Sequence, residues 1–300
     1  MKKLEIKNVF NDLTLGRLAN WLTAFVSALL LIVNVRSVSM KKPQIDLDKY
    51  KLVFSDEFDG DALNTNLWRV HNAAGVRKGG YWTLDQASVE NGSLVIRTQY
   101  KEDGEFGSGW YTSGLETRGR FEHTYGYYEC RCQLQKMPGW WSAFWMQSAT
   151  QGVTADPGRS GIETDIMESF DPGVVCTHCF HYNGTGDDHR RFDSYRCGKD
   201  TNRIHAVEML LGSDAFHTYG MLWEPDGYTV FIDGRQSGFK VGTGPGEAVS
   251  HVPQFILITT EAMWYRREHA TGKPVPELAE AVRANDAFAV DFVRVFDVVE

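Results

Sequence analysis

Ser160-Gly161-Ile162-Glu163-Thr164-Asp165-Ile166-Met167-Glu168-Ser169-Phe170 sets three carboxylates among four large apolar side chains in one short run. In a regular strand, side chains alternate between faces, so Glu163, Asp165 and Met167 share one side and Glu168 points to the other. A bulge adding one residue between Asp165 and Glu168 returns Glu168 to the side of Glu163. Three acids then crowd one face of a sheet. Like charges so placed raise at least one carboxyl pKa, which keeps a carboxylic acid protonated near neutral pH. Cleaving a glycosidic bond with retention needs an ionised nucleophile and a protonated acid about 5 to 5.5 Å apart. Two glutamates on one strand face answer to that need, with Asp165 between them to share a proton or hydrogen bond with the nucleophile. The competing readings are a solvated acidic face or a set of calcium ligands. Ile162, Ile166, Met167 and Phe170 argue against an exposed edge.

Outward from this run the texture is uniform. Gly92–Arg97, Tyr228–Asp233 and Phe288–Val295 alternate apolar and polar residues and are bounded by Gly, Asn or Asp, which predicts strands of a sheet sandwich. Glu90-Asn91-Gly92 and Asp233-Gly234 carry the residues of tight hairpin turns. A single helical patch is expected over 276–283, as a loop insertion. No linker, repeat or low-complexity tract interrupts the chain from about residue 46 to 300, so that span reads as one all-β domain. Nine Trp, 17 Phe, 12 Tyr and 29 Gly suit many short strands joined by turns, with aromatic surface left over for flat ligands. Thirty-nine acidic against 31 basic residues, a net charge of −8, argue against nucleic acid as a partner, because phosphate binding needs a basic footprint.

Here the chain resembles glycoside hydrolase family 16, the laminarinase, lichenase and agarase group, through Glu163-Thr164-Asp165-Ile166-Met167-Glu168. Phe54–Gly60 with Trp68, Tyr111–Leu115 through Tyr125–Glu129, Gly139–Trp145, His217–Trp223 and Val290–Val295 extend the resemblance from about Leu52 to the C-terminus. It implies a β-jelly roll of two curved antiparallel sheets with a substrate cleft across the concave face. It also implies an endo-acting, retaining glycosidase with Glu163 as nucleophile, Asp165 as modulator and Glu168 as acid/base. No cofactor is required for that chemistry; a structural calcium ion at Gly92 and Asp291 is implied. The substrate expected is a β-glucan, β-1,3 or mixed β-1,3-1,4, acted on by a monomer. A galactanase, a transglycosylase and a lectin-like binder are the alternatives.

Trp141 and Trp145, four apart on the preceding strand, share a face and are expected in the cleft; the resemblance puts them before the scissile bond. Trp68 and Trp223 are expected in the core. The resemblance places His181 near the acid/base, hydrogen-bonded to the sugar or to Glu168. Tyr81, Trp82, Trp110 and Tyr111 are further candidates for clamping sugar rings. Where many β-1,3-glucanases of the family carry a Gly-Gly-x-Trp element, this chain has Ile258-Thr259-Thr260-Glu261-Ala262-Met263-Trp264-Tyr265. Glu261 and Trp264 would then face the cleft and suit a different hexose pattern.

The apolar run at 18–35, preceded by Lys2, Lys3, Lys7 and Arg17, reads as a signal peptide or membrane anchor within an N-terminal segment of residues 1–45. Secretion or surface anchoring follows, unless Met40 is the true start and the protein stays in the cytoplasm. Five cysteines allow at most two bridges. Cys176-Thr177-His178-Cys179 with Cys197 and His181 looks like a zinc set only superficially, since a second close ligand pair is missing.

Overall fold

The computed structural model describes residues 43–71, 76–77, 80–137, 139–171, 174–183, 187–193, 215–262 and 285–299. The run at 18–35, the helical patch at 276–283, Cys197 and Trp264 lie outside them. No helix among the described residues is long and apolar enough to cross a membrane.

Two large antiparallel sheets make a jelly roll. The first holds β1 (Arg69–Val70), β2 (Gly114–Glu116), β3 (Glu122–His123), β4 (Trp140–Gln147), β5 (Glu163–Asp171), β6 (Val174–Tyr182), β7 (Arg190–Asp193) and β8 (Gln254–Ala262). They lie in the order β7-β6-β5-β4-β8-β2-β1, with β3 also paired to β8. The second sheet contains Gly126–Gln133, His217–Glu224, Gly227–Ile232 and the long Phe288–Val298. A small third sheet includes Gly80–Trp82 and Gly109–Thr112. Both expected hairpin turns are present. Asn91 and Gly92 have φ of 52° and 75°, Asp233 and Gly234 of 49° and 71°, the left-handed pairs that a two-residue turn between right-twisted strands requires.

The core lies between the two large sheets. Phe144, Met146, Ile166, Met167, Phe180, Ile256 and Ile258 from the first pack with Tyr128, Met221, Trp223, Val230, Val293 and Val295 from the second. Each large apolar side chain so buried contributes roughly 1.5–3 kcal/mol. Trp68 and Trp223 are core residues, as expected. The first sheet therefore keeps its opposite, outer face for Trp141, Ala143, Trp145 and Gln147 on β4, a direct consequence of strand alternation.

Candidate active site

The bulge is in the register of β4 against β5. Phe144 pairs with Met167 and Trp145 with Asp165, so Ile166 is the extra residue. Its effect on side-chain direction is plain in the packing, because Ile166 and Met167, adjacent in sequence, both enter the core. Glu163, Asp165 and Glu168 are thereby turned to the outer face, where Glu168 is opposite Ala143 and Glu163 opposite Gln147. An unbroken pleat would have sent Glu168 into the sandwich, where a carboxylate would cost several kcal/mol.

Each acid has a partner. Gln147 Nε2 donates to Glu163 Oε2 at 3.0 Å. The Trp141 indole N–H donates to Glu168 Oε1 at 3.0 Å. Asp165 Oδ2 lies 3.3 Å from His181 Nε2. Glu163 is half-buried, while Asp165 and Glu168 are buried. His181 lies on this face, nearer along the register to Asp165, which it contacts, than to Glu168. Register explains the difference: His181 is opposite Glu163 and Cys179 opposite Asp165, whereas Glu168 pairs several residues away with Cys176.

The two cleft tryptophans divide. Trp141 is half-buried at the acids. Trp145 is 6% exposed, donates to Thr259 Oγ1 at 3.0 Å, and packs with Ala143, Phe255 and Leu257. It is floor rather than platform. Glu261 stands opposite Trp141 on the same face and is buried. Of the candidate clamps, Trp110, Trp82 and Tyr111 are buried. Trp110 meets the Tyr100 ring edge-on, Trp82 donates to the Thr260 carbonyl and Tyr111 to that of Gly107. Trp110 is thus packed against the small sheet rather than presented to a ligand, because both faces of Gly109–Thr112 are covered: Trp110, Tyr111 and Thr112 are all buried.

At the positions implied for calcium, Gly92 and Asp291, Arg131 Nη1 is ion-paired to Asp291 Oδ2.

Four residues on or near this side of the sheet, Gln147, Cys179, His189 and Glu116, are not placed there by the sequence, where Cys179 figures only as part of a superficial zinc set. Gln147 was legible, since it continues the parity of Trp141 and Trp145. Cys179 follows from the same rule on β6, two residues before His181, and its Sγ lies 3.1 Å from His181 Nε2. His189, whose Nε2 is 2.9 Å from His181 Nδ1, comes from a loop and gave no signal. Glu116 was the fourth. It is opposite Leu257, accepts from Arg69 Nε at 2.8 Å and contacts His71 Nδ1. Burial pushes the Glu116 carboxyl up, but hydrogen bonding to His71 and Arg69 outweighs it and holds the group below the usual carboxylate range.

Two glutamates brought to one sheet face by a bulge, with an aspartate between them, form the kind of carboxylate pair that glycoside cleavage uses. Residues 50–298 match the family model "Beta-porphyranase A-D, GH16 domain". The chain belongs to glycoside hydrolase family 16. It is similar to a Beta-glucanase of Rhodothermus marinus, 29% identical over 194 residues, covering 61% of this chain and 63% of that one. It is also similar to Beta-porphyranase B of Zobellia galactanivorans, 28% identical over 206 residues, covering 64% and 69%. Among solved structures, the endo-beta-1,3-glucanase from Pyrococcus furiosus shares the fold with a TM-score of 0.61 and 24% identity, covering 87% of this chain and 99% of that chain. The chain spans 17% to 63% of the length of the first three curated relatives it matches.

Proposed function

We propose that this protein is an endo-acting, retaining glycoside hydrolase of a β-linked galactan. One observation carries the reaction: the bulge at Ile166 that turns Glu163, Asp165 and Glu168 to one face. Glu163 attacks the anomeric carbon and forms a glycosyl ester, while Glu168 gives its proton to the departing oxygen. Water then attacks the anomeric carbon of that ester, giving a proton to Glu168 and releasing Glu163 as carboxylate. Asp165, between the two and within reach of His181, relays hydrogen bonding as charge shifts from one glutamate to the other. Trp141 offers an indole face to the sugar while its N–H steadies Glu168.

The choice of galactan is supported by the family model over 50–298 and by Ile258–Tyr265 on the late inner strand lacking a Gly-Gly-x-Trp element, with Glu261 on the cleft face instead. A β-glucan is the second reading, favoured by the Rhodothermus relative. A polymer of either kind is met outside the cell, which fits the run at 18–35 as an export or anchor segment; N-terminal sequencing of the mature protein tests that.

The deciding experiment is product analysis on porphyran, agarose, laminarin and lichenan, with the anomeric form of the first products followed by NMR. Cleavage of a galactan to mid-length oligosaccharides with the β-anomer formed first is expected. Cleavage of laminarin or lichenan alone replaces the substrate, and an initial α-anomer overturns the retaining mechanism.

A further inference from the structure

Cys179 joins His181 and Asp165 in a cluster, and glycosidic chemistry has no use for its thiol. Their ligand atoms, Sγ, Nε2 and Oδ2, all lie within 4.8 Å of one another. The thiol is 3.1 Å from the imidazole nitrogen, and that nitrogen is 3.3 Å from the carboxylate. Zinc bonds of about 2.3 Å to sulfur and about 2.0–2.2 Å to nitrogen and oxygen, at tetrahedral angles, separate neighbouring ligand atoms by about 3.4–3.6 Å. The two separations through His181 are within a few tenths of an ångström of that range, and the third, from thiol to carboxylate, is no more than 4.8 Å.

The supports around the cluster suit a metal as well. Strand parity fixes Cys179 and His181 on one face of β6, and cross-strand pairing sets Asp165 opposite Cys179. Gln151 Nε2 holds the His181 carbonyl at 3.3 Å. His189 Nε2, 2.9 Å from His181 Nδ1, is in the position of the outer partner that a metal-bound imidazole uses to fix its tautomer.

We propose that Asp165, Cys179 and His181 bind a soft divalent cation, Zn²⁺ in the first place, as an inhibitory site laid over the middle carboxylate of the active site. Binding releases the Cys179 proton to solvent and leaves a fourth coordination position for water. It withdraws Asp165 from the relay between Glu163 and Glu168, so occupancy and turnover oppose each other; this second half rests on the proposed function, and the metal site itself does not.

Titration of the full-length, chelator-treated protein with Co²⁺ tests the site without any substrate. A one-to-one complex with thiolate-to-cobalt charge-transfer absorption in the near ultraviolet is expected, displaced by Zn²⁺. Cys179→Ser and Cys179→Thr lose that band, the Cys176→Ser/Cys197→Ser double variant keeps it, and His189→Ala weakens Zn²⁺ binding about 10- to 100-fold. Circular dichroism checks that each variant is folded. Absence of the band in the wild type, or a band that survives both Cys179 variants, overturns the proposal. In the activity arm, Zn²⁺ inhibits polymer cleavage by the wild type and not by Cys179→Thr; inhibition equal in both overturns the overlay. A wild type that shows the band and cleaves no polymer refutes the proposed function and leaves the metal site standing.

Discussion

Glu116 and Glu168 lie on the outer face of the same sheet, 1% and 7% exposed, and their surroundings differ in kind. Glu116 joins β1 to β2 through Arg69 and His71, donors that hold it ionised. Glu168 receives the indole N–H of Trp141, a neutral donor, and shares its face with Glu163 and Asp165. A carboxylate locked to a guanidinium is poorly suited to exchanging protons, whereas one held by a neutral donor among other acids is suited to it. The largest effects should therefore fall on one side of this contrast. Glu168→Gln should lower polymer turnover by about 10²- to 10⁴-fold, and Glu163→Gln by at least as much, with the melting temperature nearly unchanged. Steady-state assays beside thermal melts check this. Near-full activity in either variant removes the acids from the mechanism, and an equal loss in Glu116→Gln removes the contrast.

The second effect belongs to stability. Trp145 fills the floor between these two regions, with His71 edge-on at 6.3 Å and Phe255 and Leu257 packed around it. Trp145→Ala should cost about 3–5 kcal/mol in denaturant unfolding, the usual range for emptying a buried indole site. A variant that unfolds like the wild type and loses only affinity for polysaccharide would return Trp145 to the role of a sugar platform.

How far the sequence reached follows from which rules apply locally. Strand parity alone put Trp141 and Trp145 on one face, and extends to Gln147, while the Asn-Gly and Asp-Gly turns announced their hairpins through their left-handed residues. The bulge was legible because three acids and two adjacent apolar residues cannot otherwise be sorted between cleft and core. Depth was not legible. Parity assigns Trp145 to the outer face but cannot say that β8 supplies Phe255 and Leu257 to cover it, nor that Trp110 packs against Tyr100. Glu116 escaped because its partners are 47 and 45 residues away in the chain, and nothing in the local pattern around Ser113-Gly114-Leu115-Glu116 marks a buried ion pair. His189 escaped because a loop carries it to His181.

A third test sharpens the contrast through pH. Because the folded Glu116 carboxyl sits below its unfolded value, its stabilisation is fully present above the unfolded pKa and is lost as pH falls through the folded one. Glu116→Gln should accordingly cost about 1–3 kcal/mol near neutral pH, from buried partners left poorly satisfied, and the gap to the wild type should narrow below about pH 4. Urea midpoints at a series of pH values measure it. A gap that widens on acidification would mean that Glu116 is held protonated and belongs with Glu168.

The smallest expected effect separates two tasks carried by one side chain. Trp141→Ala removes both the ring that faces the sugar and the N–H that meets Glu168, and should weaken polysaccharide affinity severalfold, in keeping with about 0.5–1.5 kcal/mol for an aromatic contact. Trp141→Phe restores a ring face without the donor. If stacking is the ring's main task, KM recovers in the Phe variant; if the N–H matters to proton transfer, kcat and the pH at which it is half-maximal remain displaced. Recovery of both would make the bond to Glu168 incidental, and the distinction between Glu168 and Glu116 would then rest on the neighbouring acids alone.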